Sequence, residues 1–207
     1  MKKVILLSLI LSVLLSGKAY AGDLGMLSYY YSDSSSIARY KSSPLVYFGS
    51  LDSSVSGTQL STMINHATNQ WTNGGVRVTT TTRKDWSNIE VYAGNLTSLR
   101  TIYPSYDSSN TGLMRPLSTA YEGEWRYAGT YIKNGFQHLR TQVLIKNRTE
   151  TNLTTRMNYY RKTATHEIGH ALGWRGHSSS SNDIMYSSSS AVQNLTTRDK
   201  VHLNQIY

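Results

Sequence analysis

The stretch from residue 166 to residue 186 reads HEIGHALGWRGHSSSSNDIMY, and it is the most informative part of this 207-residue sequence. His166 and His170 are four residues apart, a spacing that places both imidazoles on one face of an α-helix. Neutral imidazoles presented in this way can bind zinc, which lowers the pKa of a bound water to about 7. Glu167 can accept the proton of that water. The pattern therefore predicts zinc ligands and a general base.

The same stretch resembles the metzincin signature H-E-x-x-H-x-x-G-x-x-H followed by a methionine turn, and HEIGHALG is most similar to the matrixins, the matrix-metalloproteinase-like branch. The resemblance implies an α+β fold: a mixed twisted sheet with an N-terminal helix, an active-site helix and a C-terminal helix. It also implies that Met185 forms a hydrophobic floor under the imidazoles. Tyr186 either lines the pocket for the residue after the cut or packs in the core.

The spacing to the third ligand departs from the signature by one residue. Gly173 can end the helix and turn the chain back, but the position three residues later is Gly176, which has no side chain. His177 comes next, and we predict that it binds the same ion as His166 and His170, one catalytic Zn²⁺. Asp183 is the alternative third ligand, although it lies close to the expected methionine turn.

The N-terminus has the pattern of a secretory signal. Lys2 and Lys3 precede an apolar run at residues 4–15, and the small-x-small sequence at residues 19–21 predicts cleavage after Ala21. We expect a signal peptide at 1–21, an N-terminal extension or short pro-segment at 22–43, and a matrixin-like metallopeptidase catalytic domain at 44–207. The chain is then secreted, with no stable membrane insertion after cleavage.

The sequence contains no cysteine, which excludes disulfides and a thiolate that could block the zinc. An exported chain of this kind resembles bacterial secreted proteins. Residues 20–24 faintly resemble the aspartate latency motif of astacins, in which the carboxylate of Asp23 would occupy the water's position on zinc. An incidental acidic residue after the signal peptide is the interpretation that we prefer.

The formal charge of +9 falls to about +6 once the lysines of the signal peptide are removed, so the chain stays basic. A net positive charge favours binding to anionic surfaces or substrates. The lysines and arginines are scattered and form no nucleic-acid module, so we expect no nucleic-acid partner. The expected partner is a protein or peptide substrate, and the expected state is a monomer.

The periodicity of the remaining sequence predicts an amphipathic helix at 56–72, with a buried stripe of Leu60, Ile64, Ala67 and Trp71. Strand-like runs occur at 45–48, 76–82 and 89–92, and the active helix is expected at 158–172. Residues 94–123 read mostly as loop. A capping pattern at 195–199 predicts a closing C-terminal helix.

Residues 125–133 and 136–146 read as two strands joined at Asn134-Gly135, a strong hairpin signal. By resemblance, one of them is the edge strand that pairs with an extended substrate. The other histidines, at positions 66, 138 and 202, stand alone and predict no second zinc site. Scattered carboxylates at Asp107, Glu122, Glu124 and Asp183 give calcium no clear support.

These features predict a secreted zinc metalloendopeptidase that cuts extracellular proteins, with Glu167 as the general base. The alternative is a non-catalytic zinc-binding secreted protein that binds a host or cell-wall partner. A factor acting on membranes is motivated by charge alone, because no basic amphipathic helix follows the signal.

Overall fold

The computed structural model describes residues 36–127, 130–188, 190 and 192–207. In this part of the chain the structure has a mixed sheet of six strands and four α-helices. The strands are β1 (Ser36–Arg39), β2 (Leu45–Ser50), β3 (Thr79–Thr80), β4 (Ile89–Gly94), β5 (Gly112–Tyr127) and β6 (Thr130–Lys146). The helices are α1 (Gly57–Asn73), α2 (Leu96–Ile102), α3 (Leu153–Ala171) and α4 (Thr197–Leu203). The predicted α+β architecture is confirmed.

The sheet has the strand order β1-β6-β4-β2-β3, and these strands are parallel to their neighbours. Strand β5 runs antiparallel along β6, from the pair Gly112–Ile145 to the pair Tyr127–Thr130. Within the described residues β5 pairs with no other strand. Its outer edge is therefore available to an extended peptide.

The main core lies between one face of the sheet and helices α1 and α3. The predicted stripe of α1 is confirmed, since Leu60, Ile64, Ala67 and Trp71 are all at most 1 % exposed. The α3 stripe packs against it through Tyr160, Ala164, Ile168 and Ala171, which are fully buried, and through the partly buried Met157. A smaller cluster, built from Tyr92, Leu99, Tyr106 and Leu144, fills the space under α2.

Helix boundaries follow from local capping. Ser56 and Gln59 form a capping box at the start of α1, and Thr196 and Asp199 form one at the start of α4. Helix α3 begins at Leu153, five residues before the predicted start, because the side chain of Asn152 accepts the backbone N–H of Thr155 and caps the helix there.

Two predictions about the strands are wrong. Residues 94–123 are mostly regular, since they include α2 and the first part of β5, where alternating polar residues hide the strand pattern. Asn134-Gly135 is not a hairpin turn: both residues lie inside β6 and pair with Ser36 and Ile37 of β1. The chain reverses between Tyr127 and Thr130. The strand signal at 76–82 is reduced to Thr79–Thr80.

The N-terminal predictions fall largely outside the described residues. The signal peptide and Asp23 lie there entirely. Of the segment expected as an N-terminal extension, residues 36–39 form β1, and the Tyr40 side chain is buried. No helix among the described residues is long and apolar enough to span a membrane.

Candidate active site

Helix α3 carries the two histidines of the H-E-x-x-H pattern on its buried side. His166 is 5 % exposed and Glu167 is 8 % exposed, so both lie at the inner wall of a cleft rather than on the surface. The ring centroids of His166 and His170 are 4.7 Å apart, as expected for residues one helical turn apart.

The chain after α3 turns back through two glycines in the left-handed region. Gly173 has a φ of 115°, and a Cβ at this position would collide with the backbone oxygen of Ala38 and lie 2.8 Å from Ile206. Gly176 has a φ of 67°, and no atom lies within 4 Å of where its Cβ would be. The residue inserted relative to the metzincin spacing is thus accommodated in open space.

The turn brings His177 to the other two histidines. Its ring centroid lies 5.1 Å from that of His166 and 5.2 Å from that of His170. One nitrogen of each ring lies within 4.8 Å of the others, and among the described residues this is the one group of three metal-type side chains so close together. Asp183, the alternative third ligand, is instead buried and bonded to Ser178, Thr196 and Arg198.

The orientation of the rings fits a metal ion. Nδ1 of His166 lies 2.8 Å from the carbonyl oxygen of Ile184, and Nδ1 of His170 lies 2.9 Å from that of Trp174. Each Nδ1 therefore donates, which leaves both Nε2 lone pairs facing each other at 3.1 Å. Two lone pairs this close repel unless a cation lies between them, and tetrahedral zinc at about 2.0–2.1 Å from each nitrogen separates its ligands by about 3.3 Å.

The environment keeps the three imidazoles in the neutral form that binds metal. Burial lowers the pKa of His170 to about 4 and that of His166 well below its usual value. Burial also lowers the pKa of the more exposed His177. Since metal binding competes with protons for the ring nitrogens, this environment favours the metal at neutral pH.

Glu167 lies between the histidines and the start of β5. Burial raises the pKa of its carboxyl to about 8, against the opposing effects of the Lys162 ammonium and of a hydrogen bond from the backbone N–H of Met114. A Cβ on Gly112 would lie 2.6 Å from Cγ of Glu167, so only glycine allows the strand to approach this closely. Strand β5 therefore passes directly beside the predicted general base.

Met185 and Tyr186 lie in the turn below the histidines. Met185 is fully buried, and its sulfur would be 2.7 Å from a Cβ on Gly169, so it packs against α3 under the site. The backbone carbonyl of Tyr186 accepts a hydrogen bond from Lys162. Ser187 and Ser188 line the adjoining cavity, and the role of the Tyr186 side chain stays a prediction.

A comparison with protein-family models matches residues 52–207 to the matrixins. The chain belongs to the matrixin family. This matrixin carries the zinc metallopeptidase domain of that family, and protein or peptide substrates follow from it. No curated protein sequence matches the matrixin closely enough to add a named relative.

Sequence reasoning missed three residues that shape the site of this matrixin: Lys162, Gly112 and Asp199. Lys162 has a usable signal, because it precedes His166 by four residues and so shares its helix face. Gly112 and Asp199 have no such signal in the sequence. Gly112 contacts Glu167 and Asp199 contacts the methionine turn, and each contact joins segments far apart in the sequence.

Proposed function

We propose that the chain is a secreted zinc endopeptidase in which His166, His170 and His177 hold the ion and Glu167 is the general base. The observation that carries this proposal is the convergence of three neutral imidazoles beside a buried carboxylate in one cleft. Zinc bound there would supply a Lewis acid that acidifies water and polarises the scissile carbonyl.

The protein itself would supply proton transfer and alignment of the substrate. The Glu167 carboxylate would accept a proton from the attacking water and later deliver it to the departing amine. Burial supports this role, because a carboxyl whose pKa is raised from its ordinary value toward neutrality can take up a proton and release it again. The open edge of β5, which starts beside Glu167, would align an extended peptide by main-chain hydrogen bonds.

Export is the part of the proposal that depends on sequence alone. The basic N-terminus, apolar run and small-x-small site favour removal of residues 1–21. Mass spectrometry of the protein recovered from the culture medium would test it, with Gly22 expected as the first residue. Recovery of the uncleaved chain from cells alone would contradict it.

Catalysis is tested by comparing wild type with Glu167→Ala and His177→Ala on casein and on a broad peptide library. We expect Glu167→Ala to lose peptide hydrolysis while still binding one zinc, and His177→Ala to lose both. Inductively coupled plasma mass spectrometry measures the zinc. If zinc-loaded wild type cuts no member of the library, the alternative of a non-catalytic zinc-binding protein is the better account.

A further inference from the structure

A cavity of about 420 Å³ adjoins the histidines, and its walls are polar. It is lined by His166, Glu167 and His177 together with residues 109–112, Tyr159, Lys162, Thr163, Ser187 and Ser188. None of these described residues has a purely aliphatic side chain. Such walls give little gain from burying a leucine-like group and instead suit a polar or charged one.

Lys162 places a positive charge in this wall. Its side chain is 5 % exposed, and it lies one helical turn before His166, about 6 Å along the helix axis. Nζ donates to the carbonyl oxygens of Tyr186 at 2.7 Å and Ser188 at 3.3 Å. Nδ1 of His166, 3.4 Å away, already donates to Ile184 and cannot accept.

The ammonium therefore has one N–H more than its carbonyl acceptors can use. In the described part of the chain no carboxylate forms an ion pair with it, and Glu167 and Asp199 act on it only from longer range. A buried charge without a partner costs several kcal/mol, as a rough order of magnitude. Tethering two carbonyls does not require that charge, because a neutral amide could donate to both.

The direction of a bound peptide decides which substrate residue reaches Lys162. A peptide that pairs antiparallel with the free edge of β5, as β6 does on the other side, runs from the Tyr127 end of the strand toward Gly112. Residues after the scissile bond then lie toward Gly112. That end of β5, with residues 109–111 before it, lines the cavity.

We propose that Lys162 makes the cavity select an acidic side chain, glutamate in preference to aspartate, in the residue immediately after the scissile bond. This specificity rests on the proposed peptidase function. Glutamate is preferred because its side chain is longer and reaches farther along the cavity wall toward the Lys162 ammonium, one helical turn from His166. The basic net charge of the chain also favours acidic substrates.

The test uses quenched-fluorescence peptides that differ only at that residue, which is Glu, Asp, Gln, Leu or Lys. For zinc-loaded wild type we expect kcat/KM for the Glu peptide to exceed that for the Gln peptide by about tenfold or more, the range for a charge-assisted hydrogen bond. Lys162→Met should bring this ratio to about one, and Lys162→Arg should keep the acidic preference. Lys41→Met removes the same charge from a 59 % exposed side chain that does not line the cavity, so it should leave the ratio unchanged.

Equal rates for the Glu and Gln peptides in wild type would overturn the proposal, and so would a Lys162→Met variant that slows every peptide by the same factor. The second result would mean that Lys162 only tethers the loop. A wild-type ratio of about one overturns the proposal even if the variant fails to fold.

A second measurement separates this specificity from catalysis. Zinc-loaded Glu167→Ala is titrated with the same peptides, and fluorescence anisotropy gives their Kd. Tighter binding of Glu than Gln supports the proposal even if wild type cuts nothing, in which case only the peptidase function fails. Equal Kd values contradict it.

Discussion

Nδ1 of His166 lies 2.8 Å from the carbonyl oxygen of Ile184, so a predicted zinc ligand is oriented by the residue just before Met185. The backbone N–H groups of Ile184 and Met185 in turn donate to the Asp199 carboxylate, at 3.0 and 3.4 Å. The same carboxylate caps α4 through Thr196. The C-terminal helix therefore sets the position of the methionine turn, and the turn sets the tautomer of the histidine.

We expect Asp199→Ala to destabilise the protein and to weaken zinc binding together. The change leaves two buried N–H groups without their acceptor, which should lower the free energy of unfolding by about 2–4 kcal/mol. Loss of the turn's support should reduce zinc affinity by about 10–100-fold. Urea unfolding of zinc-free protein and competition with a chelator measure the two effects. Asp199→Asn keeps one acceptor oxygen and should show smaller losses of stability and of zinc affinity. Unchanged zinc affinity in Asp199→Ala would show that the turn does not orient His166.

Gly112→Ala should reduce turnover without releasing zinc. The new methyl group would lie 2.6 Å from Cγ and 2.7 Å from Oε1 of Glu167, so the carboxylate must move away from the strand. We expect kcat/KM to fall by about 100-fold, the scale of losing a positioned general base. Gly57→Ala is the matched control, because nothing lies within 4 Å of its Cβ. Full activity of Gly112→Ala would show that the base tolerates displacement.

The backbone conformation at Gly176 should matter more than the space around it. Because φ is 67° and the surrounding space is empty, Gly176→Ala adds only left-handed strain of about 1–2 kcal/mol. We expect that strain to appear as weaker zinc binding, since the segment delivers His177. Gly176→Asn should be milder because asparagine adopts this conformation more readily. Equal zinc affinities for all three proteins, measured by chelator competition, would mean that the segment presents His177 equally well when φ changes.

Stability should fall in acid because the fold buries a neutral histidine outside the site. His138 is fully buried, and burial lowers its pKa to about 3 from the ordinary value of 6.5. The unfolded chain therefore binds a proton that the folded chain resists, and stability is lost as the pH falls from about 6.5 toward 3. The slope for this group is about 1.4 kcal/mol per pH unit.

His138→Phe should remove that contribution. Urea unfolding at several pH values, with chelator in every sample, would compare the two slopes. His166 and His170 titrate in both proteins, so the difference isolates position 138. Parallel pH profiles for wild type and variant would show that His138 does not resist protonation in the folded state.

Local patterns predicted the parts of the fold that depend on short-range periodicity. The stripe of α1 and the spacing of His166 and His170 on α3 needed only helical geometry. The meeting of His177 with these histidines also followed, because a glycine turn and a known signature lie within one short stretch. The fold class came from the resemblance of that stretch.

Long-range pairing was harder to predict. Asn134-Gly135 has the composition of a tight turn, but both residues pair with β1, and Gly135 also pairs with Gly123 of β5, which holds them extended in β6. Strand β5 has no clear apolar alternation because it is an edge strand, so its sequence resembles a loop. Tertiary pairing overrides local preference in both cases.

Strand β1 lies before the region that matches the matrixin family, yet it pairs with residues 134–137 of β6. Nη1 of Arg39, the last residue of β1, donates to the carbonyl oxygen of Ile206, and the backbone N–H of the next residue, Tyr40, donates to the Tyr207 hydroxyl. Truncating the protein at the family boundary, residue 52, would remove both β1 and β2. It would expose the edge of β4 that pairs with β2, and it would remove these contacts to Ile206 and Tyr207. A soluble fragment for crystallisation should therefore begin no later than residue 36.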